Sequence, residues 1–304
     1  MSVIEVDGVT KAYGDVVAVR DLSFDVEEGE VFGFLGPNGA GKSTTINMML
    51  DFVRPTSGSV RVHGLDAQAQ SVGVRTRTGV LPEGFSVYER LTGREHVEFA
   101  IESKDVHQSP VELLERVGLE DAVDRKAGGY SKGMRQRLAM AMALVGEPDL
   151  LVMDEPSTGL DPEGAREMRE IVTEEADRGA TVFFSSHILG QVEKVCDRVG
   201  ILRDGEMVAI DTMEGLRDAV GGGGSMTITA DSATAEQVDA IRELEGVTAA
   251  ETEGGTVRVA LDGADKTDVL AALEEEGVDV RDFQTQEASL EDLFIAYASG
   301  EVEA

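Results

Sequence analysis

The stretch Gly36-Pro37-Asn38-Gly39-Ala40-Gly41-Lys42-Ser43 fits the pattern G-x-x-x-x-G-K-[ST] at each fixed position. The apolar residues 31–35 before it read as a short buried strand, and residues 44–50 after it as a helix. Strand, glycine loop and helix form the setting in which such a loop holds phosphate. The glycines let backbone N–H groups turn inward with no side chain in the way. The helix N-terminus adds partial positive charge. Lys42 can reach β- and γ-phosphates, and Ser43 can hold Mg²⁺. A glycine-rich turn that binds nothing would leave Lys42 unexplained, because a cation at a helix start opposes the dipole. The loop does not say which nucleotide is bound or what its energy drives.

The chain of 304 residues is long enough for two ordinary domains, and 41% hydrophobic content allows proper cores. Its 59 acidic and 27 basic residues give a net charge of −32. That argues against a nucleic-acid surface, which needs a basic stripe. The single cysteine, Cys196, excludes an internal disulfide and fits a reducing compartment. No apolar run reaches the ~18 residues of a membrane span, and residues 1–7 lack the features of a signal peptide. These features lead us to expect a soluble, cytoplasmic protein.

Residues 4–9 and 22–26 alternate like strands and suggest an antiparallel sheet beside a nucleotide-binding core. Tyr13, between them, reads equally as a base-stacking ring or a strand-end aromatic. From residue 91 to 119 the pattern turns helical, with a Thr92–Glu95 capping box and Pro110 in a first turn. His96 and His107 read as surface or helix-face histidines without ligand-like neighbours. Residues 128–134 interrupt the helices, and an apolar helix over 136–145 follows. Ser131 there reads as an N-cap or as part of a second anion site.

Residues 150–155, Leu-Leu-Val-Met-Asp-Glu, read as a buried parallel strand delivering two carboxylates at its C-terminal edge, where α/β folds bind ligands. Asp154 suits a Mg²⁺ partner and Glu155 a general base for water. A solvated strand end is the plainer reading, and the phosphate loop upstream tells against it. Residues 162–178 form a long helix and 181–186 the next core strand, with His187 at its end. Asp204-Gly205 marks a two-residue hairpin. The run Gly-Gly-Gly-Gly-Ser over 221–225 reads as a flexible linker, dividing a domain over 1–220 from one over 226–304. The second domain has the order βαββαβ, a ferredoxin-like α+β arrangement, with a last helix over 290–298. It holds no catalytic constellation and reads as a regulatory or assembly domain.

Residues 3 to about 220 resemble the ATP-binding subunits of ABC transporters. The loop Gly36–Ser43 is similar to the family's Walker A, and residues 150–155 to Walker B with its following glutamate. Tyr130-Ser131-Lys132-Gly133-Met134 resembles the signature, usually Leu-Ser-Gly-Gly-Gln. Ser157, Gly159, Leu160 and Asp161 fall in a D-loop-like stretch, His187 at the switch histidine and Tyr13 at the adenine-stacking aromatic. The resemblance implies an α/β P-loop NTPase core with a helical subdomain. It implies ATP held by Tyr13, Gly36, Pro37, Asn38, Gly39, Ala40, Gly41, Lys42, Ser43 and Thr44. Mg²⁺ would lie at Ser43, Glu83 and Asp154. It further implies a head-to-tail dimer in which Ser131, Lys132, Gly133 and Met134 meet the ATP of the partner chain. Glu155 would activate water with His187 assisting.

Two departures stand out. Glu83 takes the place of the usual Q-loop glutamine, and a carboxylate cannot donate an amide hydrogen bond. The signature carries Tyr130, Lys132 and Met134 where Leu, Gly and Gln are usual. With the C-terminal extension, this looks like the branch that pairs with ABC-2-type permeases and exports drugs, lipids or polysaccharides. A separate membrane permease is then expected, with Phe85, Tyr88 and Leu91 facing it. Soluble ABC proteins acting on ribosomes or DNA usually carry tandem cassettes or coiled-coil insertions, which this sequence lacks. A silent binding module is disfavoured by Lys42, Asp154, Glu155 and His187. Seven lysines against twenty arginines, with the acidic excess, look like adaptation to a KCl-rich cytoplasm.

Overall fold

The computed structural model describes residues 1–219, 224–230, 232–253, 255–261 and 266–287. The chain divides into two compact units, Met1–Ile210 and Asp211–Glu303.

The first unit opens with a long hairpin, β1 (Ser2–Tyr13) and β2 (Val16–Glu27), and continues into β3 (Val31–Leu35). The hairpin outruns the strands expected over 4–9 and 22–26. Near its tip, Tyr13, Val16 and Val17 are exposed and pair only with each other's strand, so no core imposes alternation there. Helix α1 (Lys42–Met49) follows the phosphate loop. Then come β4 (Ser57–Val62), β5 (Leu65–Asp66), α2 (Ser71–Arg77) and β6 (Thr78–Leu81). Helix α2 was not expected from the sequence; its only buried residue is Val74.

The helical stretch resolves into α3 (Gly93–Lys104), α4 (Pro110–Arg116) and α5 (Lys132–Ala143). The Thr92–Glu95 capping box forms, with Thr92 N donating to Glu95 Oε2 at 2.7 Å and Glu95 N to Thr92 Oγ1 at 3.2 Å. Pro110 takes the first helical position of α4. Helix α5 starts before the expected residue 136, because Ser131 caps it and its first turn is polar. His96 is not a surface residue. It is 2% exposed, its Nε2 accepts from Tyr88 N at 3.0 Å, and Nδ1 lies 2.7 Å from Thr92 O. A histidine whose ring nitrogens are both satisfied can be buried without a metal.

The unit continues with β7 (Leu150–Asp154), α6 (Pro162–Asp177), β8 (Thr181–Ser186), α7 (Leu189–Val192), β9 (Arg198–Arg203) and β10 (Glu206–Thr212). Asp204 (φ 50°) and Gly205 (φ 85°) make the two-residue turn between β9 and β10, both in the left-handed region that such hairpins require. One sheet has the order β2-β1-β4-β5 and the other β10-β9-β3-β8-β7-β6. In the second, β3 runs parallel to β8 and β9, and β7 parallel to β6 and β8. Every residue of β3, β7 and β8 is buried, as expected for strands covered on both faces. Phe24 of the first sheet stacks on Phe32 and Phe34 of the second, with ring centroids 5.8 and 5.5 Å away. Such pairs add ~0.5–1.5 kcal/mol each beyond area burial and lock the two sheets together. In register, Leu35 lies beside Ser186 and Asp154 beside Ser185. Three strand ends therefore converge at one edge, the ligand crevice of open α/β sheets.

In the second unit, α8 (Met213–Ala219) precedes β11 (Gly224–Ala230), α9 (Ala235–Arg242), β12 (Val247–Glu253), β13 (Thr256–Leu261), α10 (Lys266–Glu275) and β14 (Val280–Glu287). The sheet order is β12-β13-β11-β14, with each neighbouring pair antiparallel, a split βαβ arrangement. Its core gathers Met226, Ile228, Val238, Ile241, Val257, Val259, Val269 and Leu273. The linker expected over 221–225 is shortened by the fold. Gly224 and Ser225 pair with Leu261 and Ala260, since a glycine backbone joins a ladder once a partner strand is beside it. Residues 221–223 and the helix expected over 290–298 lie outside the described residues. Residues 211–219 fall with the second unit rather than the first.

Candidate functional site

The phosphate loop leaves β3 at Leu35, and Gly36 N donates to Ser186 O at 3.3 Å. Two glycines in it are required by geometry. A Cβ on Gly36 would lie 2.5 Å from Leu202 O, and Gly41 (φ 108°) would place one 2.6 Å from Ala18 O. Lys42, 6% exposed, is the first residue of α1. Its Nζ donates to Gly36 O at 2.7 Å and Pro37 O at 3.3 Å, which fixes the ammonium over the loop. The adjoining cleft is lined by Asn38, Gly39, Gly41, Lys42, Ser43 and Thr44 of the loop and helix, together with Ala18, Glu83 and Glu155.

The two carboxylates arrive from β7. Asp154 is 5% exposed and Glu155 6%. Ser185 holds them side by side: its Oγ donates to Asp154 Oδ1 at 2.5 Å and accepts from Glu155 N at 3.1 Å. Glu155 Oε2 accepts from His187 Nδ1 at 2.8 Å, and Oε1 lies 3.3 Å from Lys42 Nζ. The Lys42 contact is a charge pairing rather than an aligned hydrogen bond, for Oε1 has no partner of good geometry. A carboxylate can only accept, so Nδ1 of His187 carries the proton and Nε2 points elsewhere. Glu155 has φ 50°, a left-handed backbone that non-glycine residues adopt at a cost and that clusters at functional sites.

Other candidates sit around this centre. Tyr13 is half exposed at the end of β1, with Lys11 Nζ 4.8 Å from its ring centroid, and does not line the cleft. Ser131 caps α5, its Oγ accepting from Met134 N at 3.2 Å. The side chain of Lys132 covers Gly159, and Leu160 lies beside Gly133. Asp161 caps α6 by accepting from Gly164 N at 2.8 Å, and Ser157 hydrogen-bonds Gln191. Within one chain, Ser131, Gly133 and Met134 do not line the phosphate cleft. Of the signature stretch, Tyr130 and Lys132 share a wall with Glu155, in a second cleft that also takes in Glu83, Phe85, Arg135 and Gln136. Tyr130 is explained by its hydroxyl: it is buried and donates to Ala122 O at 2.7 Å, and burial holds its phenol above the usual range. Leucine there would lose that bond and leave Ala122 O with the Arg125 amide alone, 3.0 Å away. Ser185, Gln136 and Gln191 escaped the sequence reading. The polar pair Ser185-Ser186, ending an apolar strand, was the one signal available.

Residues 19–158 match the family described as "ABC transporter", and residues 212–298 match "ATP-binding protein DrrA1-3-like, C-terminal domain". The linearmycin resistance ATP-binding protein of Bacillus subtilis is 35% identical over 244 residues, 79% of this chain and 78% of that one. The bacitracin transport ATP-binding protein of Bacillus licheniformis is 39% identical, over 68% of this chain and 69% of that protein. A solved ATP-binding subunit of an ABC transporter superposes with TM-score 0.68 at 31% identity, covering 72% of this chain and 94% of its own. A dimeric ATP-binding cassette in a post-hydrolysis state, bound to ADP and Pi, superposes with TM-score 0.65 at 25% identity, covering 69% of this chain and 98% of its own. With its phosphate loop, paired carboxylates and histidine at one strand edge, this chain belongs to the ATP-binding, ATP-hydrolysing subunits of ABC transporters.

Proposed function

We propose that this subunit drives export through a separate membrane permease, closing on ATP with a second copy of itself and reopening after hydrolysis. The observation that carries the chemistry is the chain Lys42–Glu155–His187 at the mouth of the phosphate loop. Lys42 neutralises charge on the β- and γ-phosphates. Glu155 accepts a proton from the attacking water, and His187, bound through Nδ1, orients that carboxylate and leaves Nε2 for the γ-phosphate side. Tyr13 stacks on the base. Ser131, Lys132, Gly133 and Met134 meet the ATP held by the other copy, because within one chain Ser131, Gly133 and Met134 lie away from the phosphate cleft. Ser157, Gly159, Leu160 and Asp161 form the adjoining edge of that contact.

The donor set also fits Mg²⁺. The Ser43 hydroxyl and the Asp154 carboxylate, with Glu83 on the cleft wall, are hard oxygen donors. Asp154 keeps Oδ2 clear of its bond to Ser185. Mg²⁺ binds one or two such groups plus substrate phosphates, and when bound it neutralises charge developing on the phosphates.

Export is supported by the relatives named for antibiotic resistance and transport. Among the described residues no helix is long and apolar enough to cross a membrane, so the conduit is assigned to a partner and the subunit to the inner face of the cell membrane. The net charge of −32 disfavours nucleic acid as a target. The test is to look for a multi-span membrane protein encoded beside the gene and to reconstitute this subunit with it. ATP-dependent export lost in Lys42→Ala supports the proposal, and failure of any such protein to bind this subunit overturns it.

A further inference from the structure

Gln136 lies on α5, just past the capped stretch that starts at Ser131, and its Nε2 donates to the carbonyl oxygen of Pro156 at 2.8 Å. Pro156 is buried and directly follows Glu155. The φ of 50° at Glu155 is disfavoured twice. The Cβ crowds the following carbonyl, and a proline ring pushes the preceding residue towards extended backbone. A conformation of this kind persists only where its surroundings over-determine it. Three hydrogen bonds do so. Glu155 N donates to Ser185 Oγ at 3.1 Å, Thr158 N donates to Glu155 O at 3.1 Å, and Gln136 holds the next carbonyl. The first two come from the neighbouring strand and the loop just after the glutamate. Only the third comes from the helix that carries Ser131 to Met134. A second tie joins the same helix to the same segment: the Lys132 side chain lies so close over Gly159 that a Cβ there would stand 2.3 Å from Lys132 Cε.

We infer that Gln136 is a positioning residue for Glu155, fixing the Pro156–Ser157 peptide just after it and making the aim of the carboxylate depend on where α5 stands. The inference rests on Glu155 being the general base. An N–H···O bond of 2.8 Å is lost beyond about 3.5 Å, so a shift of α5 by less than an ångström releases the peptide. Whatever docks on the Ser131 end of α5 is therefore sensed at the base of the same chain. Gln136 itself touches no substrate.

The experiment measures ATP turnover, ATP affinity and melting of the full 304-residue chain in Gln136→Met, Gln136→Glu and Glu155→Gln. Gln136→Met removes the donor at similar length and should lower kcat about 10- to 100-fold, with ATP affinity within about twofold. Gln136→Glu keeps the shape, and its carboxyl donates only when protonated. Its deficit should equal that of Gln136→Met at pH 8 and narrow as the pH falls towards 5.5, which a purely structural role would not produce. Should Gln136→Met fail to melt cooperatively, the isosteric variant carries the test. Turnover within twofold of wild type in the Gln136 variants at pH 8, with Glu155→Gln inactive, overturns the positioning role alone. An active Glu155→Gln overturns the general base and this inference with it.

Discussion

Glu155 and Lys42 face each other over the phosphate loop, Oε1 3.3 Å from Nζ, with both side chains less than a tenth exposed. Two buried, opposite charges at that distance interact strongly, and removing one strands the other. Lys42→Ala should therefore abolish ATPase activity and weaken ATP binding. Turnover at the wild-type rate would show that the loop is not the nucleotide site.

Glu155→Gln keeps the shape of the base and removes its basicity. ATP should still bind, with hydrolysis slowed at least about 100-fold. The protein should accumulate as an ATP-bound dimer, visible by size-exclusion chromatography with ATP and Mg²⁺. His187→Ala should share the slow turnover, since Nδ1 holds Glu155 Oε2 at 2.8 Å.

Tyr88 is 69% exposed, while its backbone is pinned by the bond from its N–H to buried His96. An exposed ring on a fixed loop is suited to a partner surface. Phe85 is half-buried and lines the cleft shared with Glu155, so Tyr88 is the cleaner probe. Tyr88→Ala should uncouple transport from ATP hydrolysis and leave basal ATPase within about twofold. Unchanged transport would place the permease contact elsewhere.

The charge of −32 should strain the compact state at low ionic strength. The Debye length falls from about 10 Å at 0.1 M salt to about 3 Å at 1 M, which relieves most of that repulsion. Melting temperature and ATPase activity should both rise from 0.1 M to molar KCl. Salt also screens Lys42 from phosphate, but that interaction is short-range and buried. A melting temperature that is flat or falls with KCl would show that the acidic surface is no salt adaptation.

Burial pulls the His63 imidazole down to about 4, with Arg77 adding to the shift and Asp149 opposing it. Its Nε2 is buried without a partner, which favours the neutral ring. The unfolded chain therefore binds the extra proton first as pH falls from 6.5, so stability should drop between pH 6.5 and about 4. Asparagine tolerates the φ of 54° at this position, so His63→Asn should flatten that part of the melting-temperature profile. An identical slope in the variant would assign the loss to other groups.

The sequence by itself determined the phosphate loop, the carboxylates at the end of residues 150–155, His187 and the βαββαβ order of the second unit. Each is a local pattern: fixed glycines, an apolar run, a cap, a turn. The tertiary structure decided what no local pattern encodes. His96 is buried because a loop amide and a helix carbonyl meet its ring. Gly224 and Ser225 are strand rather than linker because β13 lies beside them. Ser185 and Gln136 carry no motif, and they matter because parallel pairing and helix packing set them against Asp154, Glu155 and Pro156. Hydrogen bonds between residues 20 to 31 positions apart depend on the folded partner, and sequence reasoning reaches them only once strand order and helix docking are fixed.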